Sequence, residues 1–192
     1  MISIAHVFGK SLLYKTFKIE ILLMLFNIRM HNFAKLMKII LLQIDKTDQS
    51  FVEHGVQEFS KRVARYNPFE IITIAISKNI RSKTIPEQKA EEEKQLLAQL
   101  EKYDSVFLLD ENGKEYSSAE FSKQLQQQLN SGKKSLCFVI GGPYGFTDAL
   151  RKKFPLISFS RFTFSHQMIR LLFCEQLYRA FSIIRGEKYH HP

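Results

Sequence analysis

The sequence predicts an α/β fold, a mostly parallel sheet with helices on both faces. Short, almost unbroken apolar runs recur at residues 38–43, 69–77, 106–110 and 136–140. The longer stretches between them repeat their apolar residues at helical spacing. A strand that is apolar on both sides needs a covering layer on each face, and helices crossing between parallel strands supply it.

The elements follow in order. Ile39-Ile40-Leu41-Leu42 is a buried strand, and Phe51, Val52, Val56, Phe59 and Val63 then mark one face of a helix over residues 47–66. The Ile-rich run at 69–77 is a second strand. A basic linker over 78–85 leads to a charged helix over 86–103, whose Pro86 suits a first helical turn. The third strand, 106–110, is followed by Glu111-Asn112-Gly113-Lys114-Glu115, which reads as a turn. Ser117-Ser118-Ala119-Glu120 is a capping box that opens a helix to about Asn130, with Gly132 as its stop. After the fourth strand, Ser165 caps a long helix with Met168, Ile169, Leu172, Leu177, Phe181 and Ile184 on its apolar side, ended by Gly186. Ligands of such sheets bind beyond the carboxyl ends of the strands. That rule points to Leu108-Leu109-Asp110 and to the segment after Ile140.

With 192 residues, 45% of them hydrophobic, the chain fits one domain or at most two. Its two cysteines, Cys137 and Cys174, have no metal-type spacing and read as reduced, buried thiols of a cytoplasmic protein. No metal site is expected. The net charge of +9 suggests a polyanionic partner and is unevenly spread: +4 over residues 1–36, −1 over 37–150 and +6 over 151–192. Residues 1–36 read as foreign to the rest. Their apolar stretch, 21–28, is too short to span a bilayer, and no small-x-small cleavage site follows it. A membrane tether and a true extension stay open, but the preferred reading is a start assigned too early, with residues 37–192 as the single working domain.

Two segments carry chemistry. Ile140-Gly141-Gly142-Pro143-Tyr144-Gly145-Phe146 follows a strand and lets backbone approach a ligand closely. It is neither a dinucleotide fingerprint nor a P-loop, and taken alone it reads as a structural turn slightly ahead of a binding loop. The second segment begins at Ile157, where Ser158, Ser160, Thr163 and Ser165 alternate with Phe159, Phe162 and Phe164. Within the long helix Glu175 and Arg179 stand four apart, the spacing of a surface ion pair.

The stretch IGGPYGF, the Ser/Thr/Phe loop and HQMIRLLFCEQLYRAFSIIRGEKYHH together resemble ribosomal large subunit methyltransferase H, of the SPOUT class of knotted methyltransferases. The resemblance covers residues 37–192. Two positions depart from the family's habit: Ser165 stands where a proline is common, and the tail reads Tyr189-His190-His191 in place of Tyr-His-Arg. The resemblance implies methylation of N3 of a pseudouridine in 23S rRNA, with S-adenosylmethionine bound at a C-terminal trefoil knot. Carried over, the cofactor contacts are Leu109, Gly141, Phe159, Ser160, Arg161, Phe162, Thr163 and Phe164. An apolar slot from Leu109, Phe159 and Phe164 beside glycine-exposed backbone suits an adenine.

Methyl transfer to a ring nitrogen needs alignment and removal of a proton. Histidine titrates in the range that suits a general base, so His190 is the candidate, with Tyr189 orienting the base and Arg179 stabilising charge on a carbonyl. His166 reads as a structural contact or cap. Arg151, Lys152, Lys153 and Arg185 are the candidate phosphate contacts to large-subunit rRNA, within the ribosome. The +6 segment can host a sulfonium if its arginines point outward. The family also implies a homodimer. The alternative is a non-catalytic RNA-binding or ribosome-assembly protein with the same fold.

Overall fold

A computed structural model describes residues 36–190. The readings made for the N-terminal stretch and for His191 lie outside the described residues. From Met37 onward the chain forms one unit. Its elements are β1 (Lys38–Ile44), α1 (Ser50–Val63), β2 (Phe69–Ile74), α2 (Lys78–Arg81), α3 (Ile85–Leu100), β3 (Ser105–Glu115), α4 (Ser118–Leu129), β4 (Ser135–Ile140), α5 (Asp148–Lys153), β5 (Leu156–Ser158) and α6 (Met168–Ile184).

The sheet has the strand order β2-β1-β4-β3-β5, and every pairing is parallel. Side chains alternate between its faces. Ile39, Leu41, Leu136 and Phe138 face a core shared with Val52 and Val56 of α1, Phe121 and Leu125 of α4, and Phe173 and Leu177 of α6. Their neighbours Ile40, Leu42, Cys137 and Val139 face the opposite core, with Ile80 of α2, Leu96 and Leu100 of α3, and Leu150 of α5. Each fully buried Leu, Ile or Phe contributes about 1.5–3 kcal/mol of transfer free energy. Both cysteines are free and buried, which pushes each thiol up to about 12.

Local chemistry sets the helix ends. Thr84 and Glu87 form a capping box for α3, with the Thr84 amide donating to Glu87 Oε2 at 2.9 Å. The predicted box at Ser117 and Glu120 starts α4. Ser165 Oγ accepts from the Met168 amide at 3.2 Å ahead of α6, and Gly132 and Gly186, both at positive φ, follow α4 and α6.

Two sequence expectations need correction. The Glu111–Glu115 stretch is not a terminal turn: β3 bulges after Leu109 and rejoins β5, pairing Lys114 with Ile157 and Glu115 with Ser158. The ladder partner lies more than forty residues away, so local turn chemistry could not disclose it. The stretch 78–85 likewise contains a helical turn, α2. The short elements α5 and β5, unassigned from sequence, deliver the chain to the carboxyl end of the sheet.

Candidate functional site

A cavity of about 570 Å3 lies where the sheet rule places it, beyond the carboxyl ends of β3, β4 and β5. The glycine turn forms one wall and the phenylalanine loop another. Leu109, Gly141, Phe159, Ser160, Phe162, Thr163 and Phe164 all line it. Arg161 does not. Its side chain is 90% exposed and pairs with Glu115 at 3.4 Å.

The loop is held by its own small polar residues. Ser158 Oγ donates to the Ser160 carbonyl at 2.9 Å, the Phe162 amide donates to Ser160 Oγ at 2.9 Å, and Thr163 Oγ1 donates to Glu111 Oε2 at 2.8 Å. Phe159 turns inward, edge-on to Phe121 at 5.4 Å between ring centroids. Phe162, by contrast, is 79% exposed at the cavity. The alternation of hydroxyls and phenylalanines thus folds into a self-bonded loop with one anchored ring.

The glycine turn closes with the Gly145 amide donating to the Gly142 carbonyl at 3.1 Å, Gly145 sitting at φ +66°. Behind it, Glu92 of α3 is buried, with its carboxylate packed against Gly142. Its neighbour Glu93 accepts from Thr147 Oγ1 at 2.6 Å, and Thr147 caps α5. Glu92 was missed by sequence reasoning because Glu91-Glu92-Glu93 resembles a solvated acidic run. Its phase was the available signal: Glu92, Leu96 and Leu100 recur every fourth residue on the buried stripe of α3.

Asp110 and Arg151 also line the cavity, joined at 2.8 Å. Burial pushes the Asp110 carboxyl upward, but the Asn112 amide and the Arg151 guanidinium outweigh it and hold the group below the usual range. Arg151 is therefore built into the cavity wall. Lys152, Lys153 and Arg185, the other candidate phosphate contacts, are exposed. His166 lines the cavity too, and burial together with nearby Arg170 lowers its pKa.

The expectation that the arginines of the C-terminal segment point outward fits Arg161 and Arg185, which are exposed, but fails for the other three. Arg170 is fully buried, and Arg151 and Arg179 are committed to carboxylates. A bidentate or buried arginine keeps its charge but offers it to the fold, so segment charge overstated the free cations.

The three candidate catalytic residues gather away from the cavity. Arg179 donates to Glu175 Oε1 through Nε at 3.0 Å and Nη2 at 2.6 Å, and the Tyr189 hydroxyl donates to the same oxygen at 3.1 Å. The guanidinium lies 4.9 Å from the Tyr189 ring centroid. The expected surface pair is thus a partly buried cluster that anchors the tail. His190 Nδ1 is buried with no hydrogen-bond partner among the described residues. Arg179, Tyr189 and His190 do not line the cavity of their own chain.

Residues 37–190 match the family described as "Predicted SPOUT methyltransferase". A "Ribosomal RNA large subunit methyltransferase H" from Flavobacterium psychrophilum is 48% identical over 156 residues, 81% of this chain and 99% of that protein. The chain belongs to this family. Its relatives of the same name from Flavobacterium johnsoniae and Cytophaga hutchinsonii are each 46% identical, over 81% of this chain and 99% and 100% of theirs. The resemblance drawn from the glycine turn, the phenylalanine loop and the C-terminal helix is borne out, and the first two of these stretches meet around one cavity. Among the described residues no helix is long and apolar enough to cross a membrane, and no group of three His, Cys, Asp or Glu is arranged to hold a metal.

Proposed function

We propose that this protein transfers a methyl group from S-adenosylmethionine to N3 of a pseudouridine in 23S rRNA, working on ribosomal particles in the cytoplasm. The carrying observation is the single cavity shared by the glycine turn and the phenylalanine loop in a methyltransferase H chain. Its volume of about 570 Å3 falls within the range of small-molecule sites. Apolar side chains from Leu109, Ile140 and Phe159 beside the backbone of Gly141 and Gly142 fit an adenine nucleoside. When bound, the donor supplies an electrophilic methyl on a sulfonium.

The chain's residues supply alignment and proton handling. The glycine turn and residues 159–164 hold the donor, with Arg161 at the outer edge. The ring nitrogen to be methylated carries a proton, which His190 accepts, while Tyr189 orients the base and Arg179 stabilises charge on a carbonyl. Because these three stand away from their own cavity, the reading includes a homodimer in which the partner's tail completes the site. It also includes the family's trefoil knot around the donor. Lys152, Lys153 and Arg185 contact phosphates, with Arg151 acting from the cavity's edge, and the target base is extruded from its helix.

Mass spectrometry of rRNA nucleosides from a strain lacking the protein tests this function. The expected result is loss of one methylated pseudouridine, restored equally by the full chain and by a chain begun at Met37. An unchanged nucleoside profile overturns it. Calorimetry with S-adenosylmethionine separates the enzyme from a non-catalytic RNA-binding relative, which would give no heat of binding.

A further inference from the structure

Helix α3 carries three consecutive carboxylates, and the middle one, Glu92, is only 6% exposed. No lysine or arginine pairs with Glu92 among the described residues. Burial raises its carboxyl, the Gly142 amide draws it down, Asp45 at the end of β1 raises it, and Lys89 lowers it. An unpaired carboxylate in the interior is costly. What it holds there is the backbone of the glycine turn.

The fit between the two is close. An ideal Cβ on Gly142 would stand 2.5 and 2.6 Å from the two Glu92 oxygens. Only glycine lets the carboxylate come this close to the turn. In a trans peptide the carbonyl points opposite to the N–H, so a Gly142 amide donating to Glu92 would turn the Gly141 carbonyl away from α3. Both glycines line the cavity. The Glu93 contact with Thr147 holds the far end of the same turn.

We propose that Glu92 is a positioning residue for the methyl donor: its buried carboxylate, packed against Gly142, accepts from the Gly142 amide and fixes the peptide joining Gly141 to Gly142, so that the Gly141 carbonyl accepts from an N–H or O–H of the bound nucleoside. This rests on the methyl-donor reading of the cavity. The role is geometric, and a neutral acceptor of the same shape can fill it.

Two measurements on the full chain test it. In the ligand-free protein, the Gly142 amide resonance should shift and exchange faster in Glu92→Ala, and stay near wild type in Glu92→Gln. Calorimetry with S-adenosylhomocysteine should then show Glu92→Ala weaker by about 10- to 100-fold, as for losing a hydrogen bond to a charged group. Glu92→Gln should stay within about threefold, since its amide oxygen still accepts. Gly142→Ala should weaken binding on its own, and its penalty should shrink in the Glu92→Ala background, where the added methyl has room. If Glu92→Ala does not fold, Glu92→Asp serves, because it keeps the charge but withdraws the oxygens, and it should bind more weakly. An unmoved Gly142 amide, wild-type affinity in Glu92→Asp, or strictly additive penalties overturn the anchor. Failure of the wild-type chain to bind overturns instead the donor reading beneath it.

Discussion

Arg170 is the largest fully buried side chain among the described residues. Its Nη1 donates to Thr47 Oγ1 at 3.0 Å and its Nη2 to the Ile44 carbonyl at 2.6 Å, while Nε has no partner. Burial lowers its pKa, opposed by Asp48 and Asp45 nearby. The guanidinium therefore ties the start of α6 to the end of β1 at the cost of desolvating a cation. Arg170→Ala should lose about 3 kcal/mol in urea unfolding, since it leaves a buried carbonyl unpaired and a void. Arg170→Met, of similar bulk, should lose clearly less. Equal losses would mean that the charge itself holds the contact. His166, one turn earlier, has its pKa lowered by burial and then by Arg170. The unfolded chain thus takes up the proton more readily than the folded one. The stability this contributes is complete above the ordinary value of 6.5 and is lost as pH falls through the depressed folded value. His166→Gln should flatten the fall in melting temperature below about pH 6.5. An unchanged slope would place that fall elsewhere. These residues also mark what the sequence concealed. A count of basic side chains cannot tell Arg170, buried, from Lys152, exposed. An acidic triplet hides Glu92 unless its phase with Leu96 is followed.

At the level of elements, the decisive joint is β3 against β5. A Cβ placed on Gly113 would stand 2.6 Å from the Ile157 backbone nitrogen and carbonyl carbon. Backbone atoms in a ladder cannot yield as a flexible side chain would. Gly113→Ala should therefore destabilise by about 3 kcal/mol, the upper end for overpacking. Because β5 leads directly into the loop at 159–164, the same change should weaken donor binding. Normal affinity in a destabilised variant would show that the loop is held without the ladder. The four longer strands were legible because unbroken apolar runs such as Ile39-Ile40-Leu41-Leu42 suit only a sheet covered on both sides. The three residues of β5 were not, since so short a strand is defined by its partner and has no period of its own. Glu111-Asn112-Gly113 carries turn chemistry and does bend, but as a bulge within β3.

For the whole molecule, the question is how a cavity and a tail that stand apart in one chain act together. Tyr189 and Arg179 share Glu175 Oε1, and Tyr178 packs on the Tyr189 ring at 4.6 Å. Tyr189 is therefore held on α6 without any cavity residue. An ordered surface of this kind is suited to serve a second copy related by a two-fold axis, which repeats each contact in reverse. If so, His190→Ala spoils the tail but leaves its own cavity intact, whereas Gly141→Leu blocks a cavity but leaves its tail intact. Each variant alone should lose methyl transfer by at least about 100-fold, the scale of a lost general base. Mixed and allowed to exchange subunits, half of the dimers carry one intact cavity facing one intact tail. The mixture should recover about a quarter of wild-type activity. No recovery, with subunit exchange verified by native mass spectrometry, would mean that each tail serves its own chain. The helix would then have to bend to bring His190 to the glycine turn, and shortening the link at Gly186 should abolish turnover while donor binding stays unchanged.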